Sequence, residues 1–420
     1  MLPKVPVQQK SIEQYRGIVG NEVLERLYSL AERLRGARVV NINSTAHGGG
    51  VAEMLYSIVP LLSSLGLHSE WRLIEADPDF FIITKLMHNA LQGMEMFFTD
   101  EMKAKYIEIN RENAKMFDEA YDFVLIHDPQ PCAMITELEG TIARRARWIW
   151  RCHIDTTYAE DEAWEFLKPY IEHYDGAIFT MDDYIKSPLK IPLAFVPPSI
   201  DPLSAKNIIP EKRVQSDIAR RYGVDEDRPI MLQVSRFDPW KDPLGLVDCY
   251  RLVKKEHPDV QLVYLASMAD DDPEGWHYYQ KTNDYVAGDP DIFLLSNQQG
   301  IGNVEVSAFQ AMATVVLQKS LREGFGLTVT EGMWKRKPVV AGRVGGICLQ
   351  ISDGVDGFLV DCIEEAAEKV NLLLSSHATA QRFGDLGHEK VRSHFLTTRH
   401  IGDYLEFFIK LMDQAEGPRA

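Results

Sequence analysis

Cysteine is scarce in this 420-residue chain, with five in all (Cys132, Cys152, Cys249, Cys348 and Cys362). The number is odd and no Cys-x-x-Cys pair occurs, which excludes a disulfide scaffold and a cysteine-rich zinc site. Long apolar runs are missing too: no charge-free stretch approaches the length of a membrane span. Met1 to Lys10 holds two prolines and lacks the apolar core of a secretion signal. Positive charge is in deficit, with 45 Lys and Arg against 62 Asp and Glu, a formal net charge of −17. Such a surface repels nucleic acid and anionic membranes, so neither is expected as a partner. A reduced, cytoplasmic location is the expectation. There is no His-Glu-x-x-His and no P-loop, which removes two common metal and nucleotide devices.

What the chain does contain is ordinary globular composition, 45% hydrophobic and 25% charged, over a length that favours two domains. Short β-branched runs alternate with amphipathic stretches, the pattern of an α/β protein with parallel sheets. Strands are predicted at Val39–Asn43, Asp122–Ile126, Trp148–Arg151 and Ala177–Phe179, with a helix over Val51–Leu65. Three prolines within Val196–Pro202 cannot continue a helix or a central strand and mark a linker. A second series follows at Met231–Val234, Leu262–Ala266, Ile292–Leu295, Val315–Leu317 and Val339–Ala341, with helices at Leu246–Val253 and Leu327–Trp334. The expected organisation is an N-terminal domain over 1–200, a second domain over 201–395, and a C-terminal helix within 396–420. Ile401, Tyr404, Leu405, Phe408 and Leu411 form one apolar stripe on that helix, which must pack on something, and packing back toward the N-terminal domain is expected.

Ligands of parallel sheets bind at the C-terminal ends of strands, so motifs placed there carry most weight. Arg322-Glu323-Gly324-Phe325-Gly326-Leu327-Thr328-Val329-Thr330-Glu331 combines two glycines with a helix start, whose free N–H groups and dipole suit an anion. Glu331, about one turn into that helix, is placed to accept from ribose hydroxyls, and Glu323 from sugar hydroxyls. Taken alone the segment reads equally as a glycine turn before a solvated glutamate. Ser235-Arg236-Phe237-Asp238-Pro239-Trp240-Lys241-Asp242-Pro243 follows an apolar strand. Arg236 and Lys241 would stabilise charge on a departing diphosphate; on this loop by itself, two solvated cations are an equal reading. His47-Gly48-Gly49-Gly50-Val51-Ala52-Glu53 misses the third glycine of a dinucleotide fingerprint, which disfavours a redox enzyme. It can still offer the amides of Gly49 and Gly50 to a phosphate or sugar oxygen. His127-Asp128-Pro129-Gln130 and Arg151-Cys152-His153-Ile154-Asp155 end two further strands and supply polar groups to the ligand edge. Asp77-Pro78-Asp79, Asp225-Glu226-Asp227 and Asp289-Pro290-Asp291 satisfy Asp-x-Asp but lie in turn-like text, so no metal is assigned to them.

Glu323 and Glu331 are seven residues apart, and this Glu-x7-Glu resembles the signature of retaining glycosyltransferases of the GT-B fold, family 4. Arg236 and Lys241 look like that family's diphosphate-binding pair. Pro338 to Ala341, Gly345-Gly346 and Asp353 to Val360 are similar to its continuation. More narrowly, His47 to Glu53, His127 to Gln130, Arg151 to Asp155 and Pro197 to Asp201 resemble the glycosyltransferring trehalose synthase branch. The resemblance implies two Rossmann-like domains facing across a cleft. It implies transfer of glucose from UDP- or ADP-glucose to glucose, giving α,α-trehalose with retention, and reversibly. It gives catalytic roles to Arg236, Lys241, Glu323 and His153. Donor binding falls to Gly49, Gly50, Gly324, Phe325, Gly326, Leu327 and Glu331, and the sugar pocket to His47, His127, Asp128 and Asp155. No cofactor is required, with Mg2+ at most a stimulant, and the assembly is a homodimer. A trehalose phosphorylase of the same fold, a glycosidase and a non-catalytic sugar- or nucleotide-binding protein are the competing readings. A retaining glycosidase needs its carboxyl groups about 5–5.5 Å apart, whereas eight residues of one helix span about 12 Å. Gly332, where relatives often carry alanine, is expected to weaken its helix by about 1 kcal/mol.

Overall fold

Strands buried on both faces read as nearly continuous apolar runs, and Phe123–His127 and Ile230–Val234 are buried at every residue. In the computed structural model, which describes residues 1–47, 49–117, 119–268 and 273–416, each of these runs lies inside a six-stranded parallel sheet. The first sheet contains β1 (Arg38–Asn43), β2 (His68–Leu73), β3 (Phe123–His127), β4 (Arg147–Arg151), β5 (Gly176–Phe179) and β6 (Leu193–Phe195), in the order β2-β1-β3-β4-β5-β6. The second contains β7 (Ile230–Val234), β8 (Gln261–Ala266), β9 (Ile292–Ser296), β10 (Val315–Gln318), β11 (Val339–Gly342) and β12 (Phe358–Val360), in the order β12-β11-β10-β7-β8-β9. Every pair in both sheets is parallel, with helices in most crossovers and only a three-residue 3-10 turn, Asp182–Tyr184, between β5 and β6.

The chain divides into Met1–Pro198 together with Thr397–Ala420, and Ser199–Leu396. In the first unit the aromatic side chains of Trp148, Trp150 and Trp164 are fully enclosed beside β3 and β4. The final helix, Thr397–Glu416, packs on the helices Asn21–Glu32 and Gly49–Ser64. Its stripe Ile401, Tyr404, Leu405, Phe408 and Leu411 is buried, and Phe408 stacks on Phe123 of β3 at 4.4 Å between ring centres. Gly176 at the start of β5 admits Phe407, because a Cβ there would lie 2.7 Å from the ring.

Three strands escaped the apolar-run criterion, and the reason is their position at or toward a sheet edge. β2 carries His68, Ser69, Glu70 and Arg72 and is only partly buried. β6 and β12 are three residues each. Gly332 also differs from expectation. A Cβ on it would meet Val316 of β10 at 3.2 Å, so this glycine lets its helix lie close on the sheet, a packing role that helix propensity alone does not reveal.

The strand orders fix where loops converge. In the second sheet the chain builds outward from β7 to β9, then returns to the other side of β7 with β10. The crevice above the carboxyl ends of β7 and β10 is therefore a switch point, where open α/β sheets take their ligands. The first sheet has its equivalent between β1 and β3.

Candidate active site

The loops leaving β7 and β10 carry a connected polar network. After β7, Asp238 caps a short 3-10 turn, Pro239–Lys241, by accepting from the Lys241 amide at 3.0 Å. Asp242 then adopts a left-handed backbone, φ 48°, and its carboxylate accepts from Gly245 N at 3.1 Å to start the helix Pro243–Val253. A Cβ at Gly245 would sit 2.1 Å from that carboxylate. The strained turn is held from the neighbouring loop, since Lys319 after β10 forms an ion pair with Asp242. Backbone strain of this sort persists only where surrounding contacts over-determine it. Burial pushes the Asp238 carboxyl above its ordinary range, against the pull of Lys241 and Arg236.

This geometry delivers the Lys241 ammonium to the Glu323 carboxylate, with which it forms an ion pair between side chains that are both largely buried. Glu323 also accepts from Ser320 Oγ at 3.2 Å and from Gln318 Nε2 at 3.4 Å. Arg236 is different. Its side chain is 68% exposed and approaches Asp238 only at 3.6 Å. Lys241 and Glu323 are thus brought together, and Arg236 stays on the same loop with its guanidinium in solvent.

Beside them, Gly326 sits at φ 80° as N-cap of the helix Leu327–Trp334, with no side chain capping its amides. Uncapped amides at a helix start attract an anion. Gly346 packs on this turn so closely that a Cβ would lie 2.6 Å from Gly324 O and 2.8 Å from Phe325 Cα. Phe325 is buried, and its carbonyl accepts from Gln350.

Glu331 lies on this helix, as its spacing implied, but its carboxylate is not solvated. It is fully buried, paired with Lys206 Nζ at 2.6 Å and accepting from Gln310 Nε2 at 2.8 Å. Burial works to raise its pKa, yet Lys206 and Lys335 hold it below the ordinary carboxylate range. Glu323 stands in the loop, before the helix, so the two glutamates have separate surroundings and do not form a carboxyl pair on one helix.

In the first unit, β1, β3 and β4 end in a chain of polar groups. Asn41 on β1 meets His127 Nε2 at 3.0 Å, and His127 Nδ1 meets His153 Nε2 at 3.0 Å. Asp128, at φ 63°, accepts from the His153 amide at 2.8 Å. Burial drives the His127 imidazole down to about 3, with Arg151 pushing the same way. Burial also lowers His153, with Arg151 adding to it, and His400, with Arg399 and then Arg151 adding to it. Burial raises Asp128 to about 6 despite the His153 amide and Arg151. Arg151 itself is fully buried and donates to Val196 O at 2.6 Å. Asp155 spends one oxygen on a local turn, accepting from Thr157 N at 3.0 Å and Thr157 Oγ1 at 2.6 Å. His47 is exposed in a turn closed by Thr45, and Gly49 and Gly50 open the helix Gly49–Ser64. Gly48 lies outside the described residues.

Sequence reasoning passed over Asn41, His400, Lys206, Gln310, Lys319 and Asp242. Only Asp242, inside the 235–243 motif but given no role there, and Lys319, a charge just past a strand, carried a signal; the others act from distant segments. Among the described residues no group of three or more His, Cys, Asp or Glu is arranged to hold a metal. The Asp-x-Asp pairs serve locally: Asp77 caps a helix, Asp225 accepts from Asp227 N at 3.0 Å, and Asp289 and Asp291 bind Lys254. No helix among the described residues is long and apolar enough to cross a membrane.

Residues 41–186 match the family model for the trehalose synthase N-terminal domain, and residues 214–390 that for glycosyl transferases group 1. The chain is 50% identical over 416 residues to trehalose synthase of Rubrobacter xylanophilus, covering 98% of this chain and all of that one. It is 46% identical over 406 residues to trehalose synthase of Pyrococcus horikoshii, covering 96% and 97%. Among solved structures, an E. coli trehalose-6-phosphate protein bound with UDP-2-fluoro glucose superposes with a TM-score of 0.70 at 14% identity, over 90% of this chain and 99% of that one. With two Rossmann-type parallel sheets of the GT-B kind and near-full-length identity to these enzymes, the chain belongs to the trehalose synthase family and is a glycosyltransferase of trehalose metabolism.

Proposed function

We propose that this enzyme forms α,α-trehalose from a nucleoside-diphosphate glucose, UDP- or ADP-glucose, and free glucose, with retention at the anomeric carbon and in a reversible manner. The observation that carries the reading is the meeting of Lys241 and Glu323 at the β7/β10 switch point, next to the uncapped amides that follow Gly326. Lys241 and Arg236, with the amides of Gly324 to Leu327, take the charge that grows on the departing diphosphate. Glu323 accepts from donor glucose hydroxyls, and Glu331 from the ribose. The Glu331 carboxylate offers about four lone-pair sites, of which Lys206 and Gln310 take two. Gly49 and Gly50 add amides for phosphate or sugar oxygens, while His153, His127, Asp128, Asp155 and His47 serve the sugars. As the bond from C1 to the diphosphate oxygen breaks, the acceptor hydroxyl bonds to C1 on the same face. Its proton passes to the leaving phosphate oxygen, so no protein nucleophile takes part.

The same reading needs no metal beyond a stimulating Mg2+, and it includes a homodimer. All five cysteines are free thiols, which suits a reducing cytoplasm. The test mixes purified protein with UDP-glucose or ADP-glucose and glucose, and identifies a non-reducing disaccharide with two α linkages by NMR. Product arising only from glucose 1-phosphate with release of phosphate would replace this reading with a phosphorylase. Transfer only to water would replace it with a hydrolase.

A further inference from the structure

The polar chain across β1, β3 and β4 has a direction that its terminal group sets. Asn41 is fully buried, and its Oδ1 faces His127 Nε2. An amide oxygen only accepts, so Nε2 of His127 carries the hydrogen. Burial keeps this imidazole neutral, and a neutral imidazole has one N–H. His127 Nδ1 is then an acceptor, and the atom 3.0 Å from it, His153 Nε2, must donate. That leaves the lone pair of His153 on Nδ1. Among the described residues nothing hydrogen-bonds to this buried Nδ1. An unpaired buried acceptor costs about 1–3 kcal/mol, and native proteins keep few of them without a purpose. The adjacent groups do not satisfy it: Asp128 is bound to the His153 amide, and Arg151 donates to Val196 O.

We propose that Asn41 is a positioning residue that fixes, through His127, the tautomer of His153, so that His153 Nδ1 is held as a hydrogen-bond acceptor for a sugar hydroxyl. The sugar rests on the proposed transferase reading; the direction of the chain does not. Were the Asn41 amide turned over, its Nδ2 would donate, both histidine bonds would reverse, and His153 would present an N–H instead. A ligand hydroxyl would then have to accept, so the amide orientation selects which face of the hydroxyl is bound. Asn41 Nδ2 has no partner among the described residues, so no second bond anchors the amide, and its hold on the pair comes through Oδ1.

The test is long-range 1H–15N correlation of the full chain labelled with 15N-histidine at pH 7, which distinguishes the two neutral tautomers. The wild-type protein is expected to show Nε2–H for both His127 and His153. In Asn41→Leu, which removes the acceptor at similar volume, His153 is expected to become a tautomer mixture. KM for at least one sugar substrate rises as the reciprocal of the share of His153 left in the accepting tautomer, about twofold for an even mixture and about tenfold where one-tenth remains, with a smaller fall in kcat. Affinity for UDP or ADP alone, measured by calorimetry, stays within twofold. Asn41→Ala is measured in parallel should the leucine variant not fold. Nδ1–H at His153 in the wild type overturns the proposal. So does a variant whose His153 tautomer matches wild type. Spectra as expected in an enzyme that transfers from no nucleotide sugar would sink the transferase reading and leave the tautomer assignment standing.

Discussion

Lys206→Met should be among the most damaging single changes available in the second unit. It removes the ammonium 2.6 Å from a carboxylate that is fully buried, leaving Glu331 with Gln310 at 2.8 Å and the more distant charge of Lys335. Breaking one partner out of a buried ion pair costs about 3–5 kcal/mol, because the remaining charge is left desolvated. For a unit of this size that corresponds to a fall in Tm of roughly 6–20 °C. The penalty also depends on pH in a defined direction. In the wild-type protein the folded Glu331 is more acidic than in the unfolded chain, so its pair stabilises above the unfolded carboxylate range and is lost as pH falls through the lowered folded value. In the variant burial is no longer offset by its nearest cation, and the folded carboxyl becomes the weaker acid. The Tm gap to wild type should therefore be widest near pH 8 and shrink toward pH 5. Lys206→Met with Glu331→Gln should recover most of the loss, since a neutral amide needs no counter-charge. Differential scanning calorimetry on the four proteins of this cycle measures both effects. A gap that stays constant between pH 8 and pH 5, or a double variant no more stable than the single, would refute the reasoning.

Lys241→Met should lower kcat by about 10²- to 10³-fold, the usual effect of removing one preorganised charge at a leaving group, while the far-ultraviolet circular dichroism spectrum is unchanged; a loss under fivefold would remove Lys241 from the chemistry. Gly346→Ala puts a Cβ 2.6 Å from Gly324 O, so the Gly324–Phe325 backbone must shift, and donor KM should rise at least tenfold in initial-rate assays with glucose affinity spared. Acid should unfold the first unit early. His127, His153 and His400 are all lowered in the folded state, so the unfolded chain binds more protons below its histidine range near 6.5. Stability is then complete above that range and falls by about 1.4 kcal/mol per pH unit per group on the way down. Asp128, raised to about 6, opposes this in part by gaining a proton in the folded state. Urea titrations at pH 7 and pH 5.5 should differ by about 3 kcal/mol, and a difference below 1 kcal/mol would show that these histidines are not buried neutral.

Much of the architecture was legible because burial on both faces of a parallel strand leaves an unbroken apolar run. β3, β7 and β8 announce themselves that way, and the three prolines near residue 200 mark the place where the chain changes unit. β2 did not, since a partly covered edge strand such as His68–Leu73 tolerates charge. The loop motifs were legible for a related reason: glycines and charged residues just past a strand end stand out against the run before them. Their partners were not. Lys206 and Gln310 come to Glu331 from segments far along the chain, and Asn41 sits inside β1, where it reads as an interruption of an apolar strand.

By itself the sequence determined the alternation of strands and helices, the excess of acidic charge and the order in which candidate groups follow strand ends. These are local properties, set by side-chain volume, polarity and backbone preference. Only the tertiary structure decided which of those groups meet. It joined Lys241 to Glu323, left Arg236 in solvent, closed Lys206 over Glu331, and lined up Asn41, His127 and His153. The meeting of Lys241 with Glu323 and the line from Asn41 to His153 depend on strand order, because a parallel sheet places side by side the ends of strands that are distant in the chain.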